Sequence, residues 1–142
     1  MILLDANVLI YAIDADAVHH KTVRRWLETV LSGSAQVGMA WVVVLAFLRI
    51  TTHPKVMRKP LTPQAAMAYL DEWFALPCAG LVVPGERHWA IMKNLIAAAG
   101  TAGNLTTDVH LAALAIERGY AMASTDNDFR RFAGLKCINP LG

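Results

Sequence analysis

Short apolar runs alternate with longer helical patterns along this chain, and the alternation restricts the possible folds more than any other feature. Apolar runs of three or four residues are too brief for helices and are typical of buried strands. We predict strands at residues 2–4, 36–39, 81–83, 121–124 and 136–138. Apolar side chains at three- and four-residue spacing predict helices over residues 18–31, 41–51, 63–76, 86–99 and 107–118. This alternation predicts an α/β domain whose central, mainly parallel sheet is covered by helices on both faces.

The length and composition of the chain predict one domain without a membrane span. A chain of 142 residues can bury a single core, so we predict one domain over residues 1–142. Its longest uncharged apolar run, 39–48, is half of the roughly 20 residues that a bilayer crossing needs. The apolar fraction of 56% exceeds the roughly 45–50% of a usual soluble domain. This excess is consistent with a partner chain that covers part of the surface.

Charge and cysteine content favour a cytoplasmic protein. Asp5 stands where a secretory signal would carry basic residues, so we do not expect secretion. Cys78 and Cys137 suggest neither a disulfide framework nor a zinc site, which fits a reduced compartment. The net charge of +2 permits a polyanionic partner without requiring one. Basic clusters at residues 55–59 and 130–136 are interpreted first as solvated loops.

Two carboxylates directly follow predicted strands. Asp5 comes immediately after the run Ile2–Leu4, and Asp126 comes two residues after Ser124. Sites in open parallel sheets form in the crevice beyond the carboxyl ends of the strands. We therefore expect both side chains to project from the same edge of the sheet.

A third carboxylate, Asp108, lies in the first turn of the predicted helix 107–118. At about 100° per residue, Asp108 shares a stripe with Leu111, Ala112 and Ala115, and this stripe points inward. The alternative is that Asp108 only interacts with the positive end of the helix dipole. Ionised carboxylates that converge in a partly buried crevice repel one another, so protons or a cation must relieve the repulsion. An all-oxygen cluster suits Mg²⁺ or Mn²⁺, and metal-assisted phosphodiester hydrolysis is the natural chemistry. The substrate stays open at this point.

The segments that carry these acids resemble a known family. "LLDANVLIYAIDAD" is similar to the opening of PIN domains, in which a strand delivers the first acid and an Asn follows two residues later. "NLTTDVHLAALAIERGYAMASTDNDFRRFAGLKCINPL" resembles their closing segment. "HHKTVRRWLETVLSG" and "WVVVLAFLRITTHP" look like the VapC branch, the toxins of VapBC toxin–antitoxin pairs. Three blocks in the right order cover essentially the whole chain.

The resemblance implies a three-layer α/β/α PIN-like fold and an Mg²⁺- or Mn²⁺-dependent endoribonuclease that cleaves structured RNA such as tRNA or rRNA. It also implies a homodimer and a VapB-type antitoxin that occupies the acidic pocket, with DNA contacted only through the antitoxin. The residues that match metal-binding acids are Asp5, Asp108 and Asp126, and Asp128 matches a second acid of the closing motif. Asn7 and Thr125 match neighbours that orient the acids or water.

Two further polar residues are candidates for the same pocket. Asn104 follows the 100–103 loop and is placed to face the acids. Arg49 lies three residues beyond Ala46 on one helix face, where it would either hold a phosphate or form a structural ion pair. We predict that the five histidines, which show no ligand spacing, are surface or helix-end residues.

Ala46 is the one departure from the family pattern. PIN domains commonly carry a glutamate just ahead of a segment like Phe47-Leu48-Arg49, and no acid lies between Glu28 and Asp71 here. A catalytically weak or inactive PIN fold that binds RNA or an antitoxin is therefore the alternative function. A haloacid-dehalogenase-like phosphatase is disfavoured, because it would need a second aspartate at position 7.

Overall fold

Five short strands form one sheet in the computed structural model, which describes residues 1–142. The strands are β1 (Ile2–Leu4), β2 (Val37–Met39), β3 (Ala79–Leu81), β4 (Ala121–Ala123) and β5 (Cys137–Ile138). They stand in the order β3-β2-β1-β4-β5, and every neighbouring pair is parallel. The predicted parallel sheet is confirmed, and β1 lies at its centre.

Six α-helices cover the sheet. They are α1 (Ala6–Ile13), α2 (His20–Leu31), α3 (Trp41–Thr51), α4 (Pro63–Phe74), α5 (His88–Ala99) and α6 (Thr106–Arg118). Right-handed crossovers place α1 to α4 on one face of the sheet and α5 and α6 on the other. Helix contacts follow this division, since α1 packs on α2 and α3, α3 on α4, and α5 on α6. None of the helices combines the length and apolar character that a membrane crossing requires.

The strand order creates a crevice between β1 and β4. From β1 the chain moves outward through β2 to β3, then returns to the other side of β1 to form β4 and β5. Ile2, Leu3 and Leu4 pair with Ala121, Met122 and Ala123, so the two strands end at the same level. At such a switch point the connections leave in opposite directions, which opens a crevice beyond the carboxyl ends. Any side chain that directly follows β1 or β4 therefore lies at this crevice.

Local signals explain where two helices begin and end. The Thr62 hydroxyl accepts a hydrogen bond from the Ala65 amide at 3.1 Å, and Pro63 supplies a favourable first residue for α4. Gly119 ends α6 in the left-handed region with φ 75°, a conformation that only glycine adopts without steric cost. The short return from α6 to β4 depends on this turn.

Helix α1 was not among the predicted elements. Its residues Val8, Leu9, Ile10 and Ala12 are all buried, so the segment shows no polar face and no helical period in the sequence. Asp5 starts the helix by accepting a hydrogen bond from the Ala6 amide at 2.8 Å. Because Asp5 directly follows a strand and is also a candidate site residue, the sequence alone does not identify it as the cap of a helix.

The third strand lies two residues earlier than predicted. The sequence favours Leu81-Val82-Val83, whereas the structure pairs Ala79, Gly80 and Leu81 with Val37, Gly38 and Met39. Val82 still donates its amide to the Met39 carbonyl at 3.0 Å, and Pro84, which has no amide hydrogen, follows soon after. Ala79 and Gly80 have low strand propensity, so the sequence pattern does not mark β3, which lies at the edge of the sheet.

The core lies on both sides of β1 and β4. Leu3, Leu4 and Met122 are fully buried in the sheet, and Phe47 of α3 is fully buried on the face covered by α1 to α4. Helix α6 is buried from Leu111 to Ala115. Such a helix keeps its first turn in a fixed position relative to the ends of the strands.

A pair of histidines joins α5 to α6. His88 Nε2 lies 3.0 Å from His110 Nδ1, and the two rings meet edge to face. His88 is buried rather than on the surface. Its position at the start of α5 is a helix end, as predicted, but α6 covers it.

Gly38 and Gly80 are paired on adjacent strands but have different surroundings. A Cβ atom built on Gly38 would overlap Val82 and lie 2.8 Å from the Tyr120 ring, whereas one on Gly80 would meet nothing within 4 Å. We expect Gly38→Ala to lower the free energy of unfolding by about 1–3 kcal/mol through overpacking. Gly80→Ala, the matched control, should be neutral or slightly stabilising. Chemical denaturation of both variants tests this, and equal stabilities would contradict the packing at β2.

Candidate active site

Asp5 anchors the crevice from the end of β1. Its amide donates to the Ala123 carbonyl at 2.9 Å, which extends the pairing with β4 by one residue. Its Oδ1 accepts from the Ala6 amide at the start of α1. Burial raises the pKa of this carboxyl, hydrogen bonds from Ser124 and Ala6 oppose the rise, and the charge of Asp126 adds to it. Asp5 is therefore held in one orientation in a setting that penalises its charge.

Ser124 is the hydrogen-bonding centre of the site, and the sequence reasoning missed it. Its buried hydroxyl donates to Asp5 Oδ2 at 2.8 Å. The same oxygen accepts from the Asn7 side-chain amide and from the Asp126 backbone amide, both at 3.0 Å. One hydroxyl thus links the ends of β1 and β4. Its position just before the Thr-Asp motif was the only signal in the sequence.

Asn7 and Thr125 are brought together by the ends of β1 and β4. Asn7 Oδ1 accepts from the Thr125 amide at 3.2 Å, and its Nδ2 lies 3.3 Å from Asp5 Oδ2. The Thr125 carbonyl accepts from Asn139 at 3.3 Å. These bonds fix the backbone around the ends of β1 and β4. The Thr125 hydroxyl makes none of them.

Asp126 and Asp128 lie on the segment that follows β4. Asp126 caps the short 3₁₀ helix Asn127–Arg131, and its Oδ1 accepts from the Asp128 amide at 2.8 Å. Both side chains are exposed. Arg131 Nη2 lies 3.8 Å from Asp128 Oδ1, a surface ion pair that stabilises little on its own. The side chains of Asp126 and Asp128 are therefore more exposed to solvent than that of Asp5.

Asp108 experiences the charges of the other three acids. It lies half-buried in the first turn of α6. Burial and the charges of Asp5, Asp126 and Asp128 together raise the pKa of Asp108 to about 6, while Arg131 acts in the opposite direction. The expectation that Asp108 points inward agrees with this environment. Four carboxylates from three elements thus repel one another in one crevice.

This donor set suits a hydrated divalent cation. All of its charged donors are carboxylate oxygens, the ligands that Mg²⁺ and Mn²⁺ prefer. No group of three histidine, cysteine, aspartate or glutamate side chains is arranged to bind one ion directly. Mg²⁺ usually keeps several water molecules and takes only one or two carboxylates directly. The residues therefore fit an ion that contacts part of the cluster through its own water.

A cavity of about 510 Å³ opens beside Asp5. Its walls come from α1, α3 and α6, and they include Ala46, Arg49 and Thr107. Ala46 therefore faces the acidic crevice, at the position where the family pattern commonly places a glutamate. Arg49 is exposed and takes part in neither of the two salt bridges of the structure. The structural ion pair weighed for Arg49 is absent.

Asn104 is a predicted site residue that does not line the cavity of Asp5. It is exposed on the 3₁₀ helix Gly103–Leu105, outside the cavity that Asp5 lines. The 3₁₀ turn ahead of α6 keeps the residue on the surface. The sequence showed its proximity to Asp108 along the chain but not the direction of this turn.

Comparison with known proteins gives consistent results. The PIN domain model matches residues 2–135. Ribonuclease VapC37 of Mycobacterium tuberculosis is 44% identical over 140 residues, which cover 99% of this chain and 97% of that protein. The structure of VapBC2 from Rickettsia felis bound to a promoter DNA fragment gives a TM-score of 0.68 at 16% identity over 98% of both chains. Mycobacterium tuberculosis VapC20, a sarcin–ricin loop cleaving toxin, gives 0.64 at 16% over 96% and 99%. At such identities the two structures support the fold alone.

The raised pKa of Asp108 predicts a stability difference that depends on pH. A carboxyl with a folded-state pKa of about 6 against an ordinary 3.8 loses stability as pH rises through this interval. Without divalent ions, Asp108→Asn should therefore melt above the wild type at pH 7, and the gap should close as pH falls toward 4. Melting curves across this range test the sign, and Asp71→Asn on the exposed face of α4 is the control. A gap that widens in acid would contradict the proposed repulsion.

Proposed function

The chain belongs to the PIN-domain family and is a relative of the VapC ribonucleases. From this premise we propose that it is an Mg²⁺- or Mn²⁺-dependent endoribonuclease, the toxin of a toxin–antitoxin pair. The observation that carries the proposal is the convergence of three carboxylate charges on the half-buried Asp108. Such a cluster is costly unless a cation neutralises it. The fold places it at the switch point of the sheet, where ligands of parallel α/β domains bind.

Asp5, Asp108 and Asp126 would hold the metal ion, with Asp128 at the periphery. When bound, a divalent ion lowers the pKa of a coordinated water and stabilises negative charge on a phosphoryl oxygen. Ser124 and Asn7 hold the Asp5 carboxylate in place, so its orientation does not depend on the ligand. This preorganisation limits the reorganisation needed when the substrate enters.

Arg49 supplies a positive charge on the other wall of the cavity. Because it has no acidic partner, its guanidinium is free to bind a phosphate of the RNA chain. We propose that Arg49 positions the phosphodiester against the acids. The substrate class is structured RNA such as tRNA or rRNA, by analogy with VapC20, which cleaves the sarcin–ricin loop. The cellular location that fits this substrate is the cytoplasm.

A VapB-type antitoxin is the proposed partner. The Rickettsia felis structure contains a VapBC assembly on promoter DNA, and DNA would be contacted here through the antitoxin. Trp41 and Leu45 of α3 are 56% and 62% exposed, and Leu45 also lines the cavity of Asp5. An apolar surface beside an acidic pocket suits a segment that carries both apolar and basic side chains. A second copy of the chain would cover further apolar surface as a homodimer.

One observation favours the alternative of a weak or inactive PIN fold. Ala46 lines the cavity, so the site has one carboxylate fewer than the common family set. A second ion would lack charge compensation there, and Arg49 on the same wall would repel it. This alternative predicts RNA or antitoxin binding without magnesium-dependent cleavage.

Cleavage by variants of the acids separates the two functions. Asp5→Asn and Asp126→Asn should each lower magnesium-dependent cleavage of total cellular RNA by about 100-fold or more, since even outer-shell changes cost about 10–100-fold. Magnesium should raise the melting temperature of the wild type and have less effect on either variant. Asp71→Asn, an exposed acid on α4, should behave as the wild type. A variant of Asp5 that keeps near-full activity would sink the metal assignment, and an inactive wild type would favour the binding module.

Ala46→Glu tests the departure from the family pattern. Since Ala46 lines the cavity of Asp5, a glutamate there should tighten manganese binding or lower the magnesium needed for half-maximal cleavage. Calorimetric titration of both forms with manganese, paired with cleavage rates, provides the measurement. Thermal stability must be followed alongside, because the longer side chain can overpack the site. A folded variant with unchanged affinity and rate would show that position 46 does not influence the metal.

A further inference from the structure

A second cavity lies beside the 3₁₀ helix Asn127–Arg131, which Asp126 caps and which contains Asp128. It has a volume of about 370 Å³ and is lined by Leu95, Ala98, Ala99, Arg131, Phe132 and Ala133. Five of these residues are apolar, and Arg131 is the only charged one. The cavity is formed by the end of α5 and the segment that follows Asp128, and it is separate from the cavity of Asp5. We infer that this cavity, named here the α5 pocket, binds a nucleobase of the RNA chain next to the cleavage site while Arg131 holds the adjoining phosphate.

Arg131 connects the α5 pocket to the acids. Its Nε donates to the Asp128 carbonyl at 3.2 Å, and its Nη2 lies 3.8 Å from Asp128 Oδ1. Its charge also reaches Asp108, where it opposes the effect of the three acids. Arg131 thus lines the α5 pocket and also contacts Asp128, one of the four acids.

The Arg131 guanidinium is available to a phosphate. Its side chain is 44% exposed, and its partner Asp128 is 60% exposed. Ion pairs this exposed contribute little, so exchange of the carboxylate for a phosphodiester costs little. A guanidinium binds phosphate through paired N–H donors, an arrangement that a lysine ammonium does not provide.

The walls of the α5 pocket fit a flat apolar ring. Ala98 and Ala99 are exposed and carry only methyl groups, so the surface of α5 is recessed at these two residues. Phe132 is buried and packs edge to face on Phe129 with ring centroids 6.2 Å apart, which gives the pocket a fixed side. Unpaired bases of RNA are the flat apolar part of the chain and bind next to cationic groups. An apolar pocket with a single cation at its rim matches a base with its phosphate.

Charge distinguishes RNA from a protein partner at this pocket. The cavity of Asp5 carries a carboxylate and suits basic side chains, whereas the one charged residue that lines the α5 pocket is the cationic Arg131. Basic antitoxin side chains would be repelled here, and a polyanion would be attracted. The inference rests on the proposed ribonuclease function, and it adds a position where that enzyme reads its substrate.

Binding of two labelled single-stranded probes in the presence of a chelator tests the inference. The first probe is a short oligoadenylate, and the second has the same backbone without bases. Ala98→Leu fills the α5 pocket and should weaken oligoadenylate binding about fivefold through lost apolar contact, while it leaves the abasic probe unchanged. Ala97→Leu, an exposed neighbour outside the pocket, is the matched control. Arg131→Gln should weaken both probes more than Arg130→Gln does.

The outcomes that overturn the inference are distinct from failure of the proposed function. Equal affinities of Ala98→Leu and Ala97→Leu for oligoadenylate, or equal wild-type affinities for the two probes, would show that no base enters the pocket. Loss of binding to the cognate antitoxin, with RNA binding intact in Ala98→Leu, would assign the pocket to the protein partner. Absence of wild-type binding to either probe would also overturn it. Magnesium-dependent cleavage by the wild type, lost in Asp5→Asn, would meanwhile uphold the ribonuclease.

Discussion

Mutual repulsion among four carboxylates is the constraint on which the rest of this structure depends. Asp5, Asp108, Asp126 and Asp128 reach one crevice from three different elements, and burial together with the charges of the other three acids raises the pKa of Asp108 to about 6. A free chain would separate these groups, so the fold must hold them together against their repulsion. The fully buried core of the sheet and of α6 supplies this stability. The crevice is therefore a site whose function is supported at the expense of local stability.

Helix beginnings offset part of the repulsion. Asp5 caps α1, Asp108 lies in the first turn of α6, and Asp126 caps the 3₁₀ helix. Each acid thus meets backbone amides or the positive end of a helix dipole, which favours its charged form. The Ser124 hydroxyl joins two of these positions by bonding to Asp5 and to the Asp126 amide. The same contacts that ease the cost of the charges also fix their directions, which a metal site requires.

The sequence allowed most of the sheet and the positions of Asp5 and Asp126 in the crevice to be predicted, because these follow from short apolar runs with acids soon after them. It could not show α1, since a helix buried on nearly every side has no polar period, and it misplaced β3, which is built of Ala79 and Gly80 at an edge. Ser124 was missed for another reason. Its role comes from contacts with Asp5 and Asn7, which lie far along the chain, and such contacts leave no local pattern.

The balance of charge around the crevice connects the fold to its proposed chemistry. Arg49 and Arg131 approach the acids from α3 and from the segment after β4, and neither arginine is buried. With Ala46 in the wall, the site carries four carboxylates rather than five, so one divalent ion together with the two arginines already compensates their charge. A polyanionic chain then meets cations on both sides and a neutralised centre between them. In the proposed function, the missing glutamate would shift part of the task of holding phosphate from a second ion to the protein's own guanidinium groups.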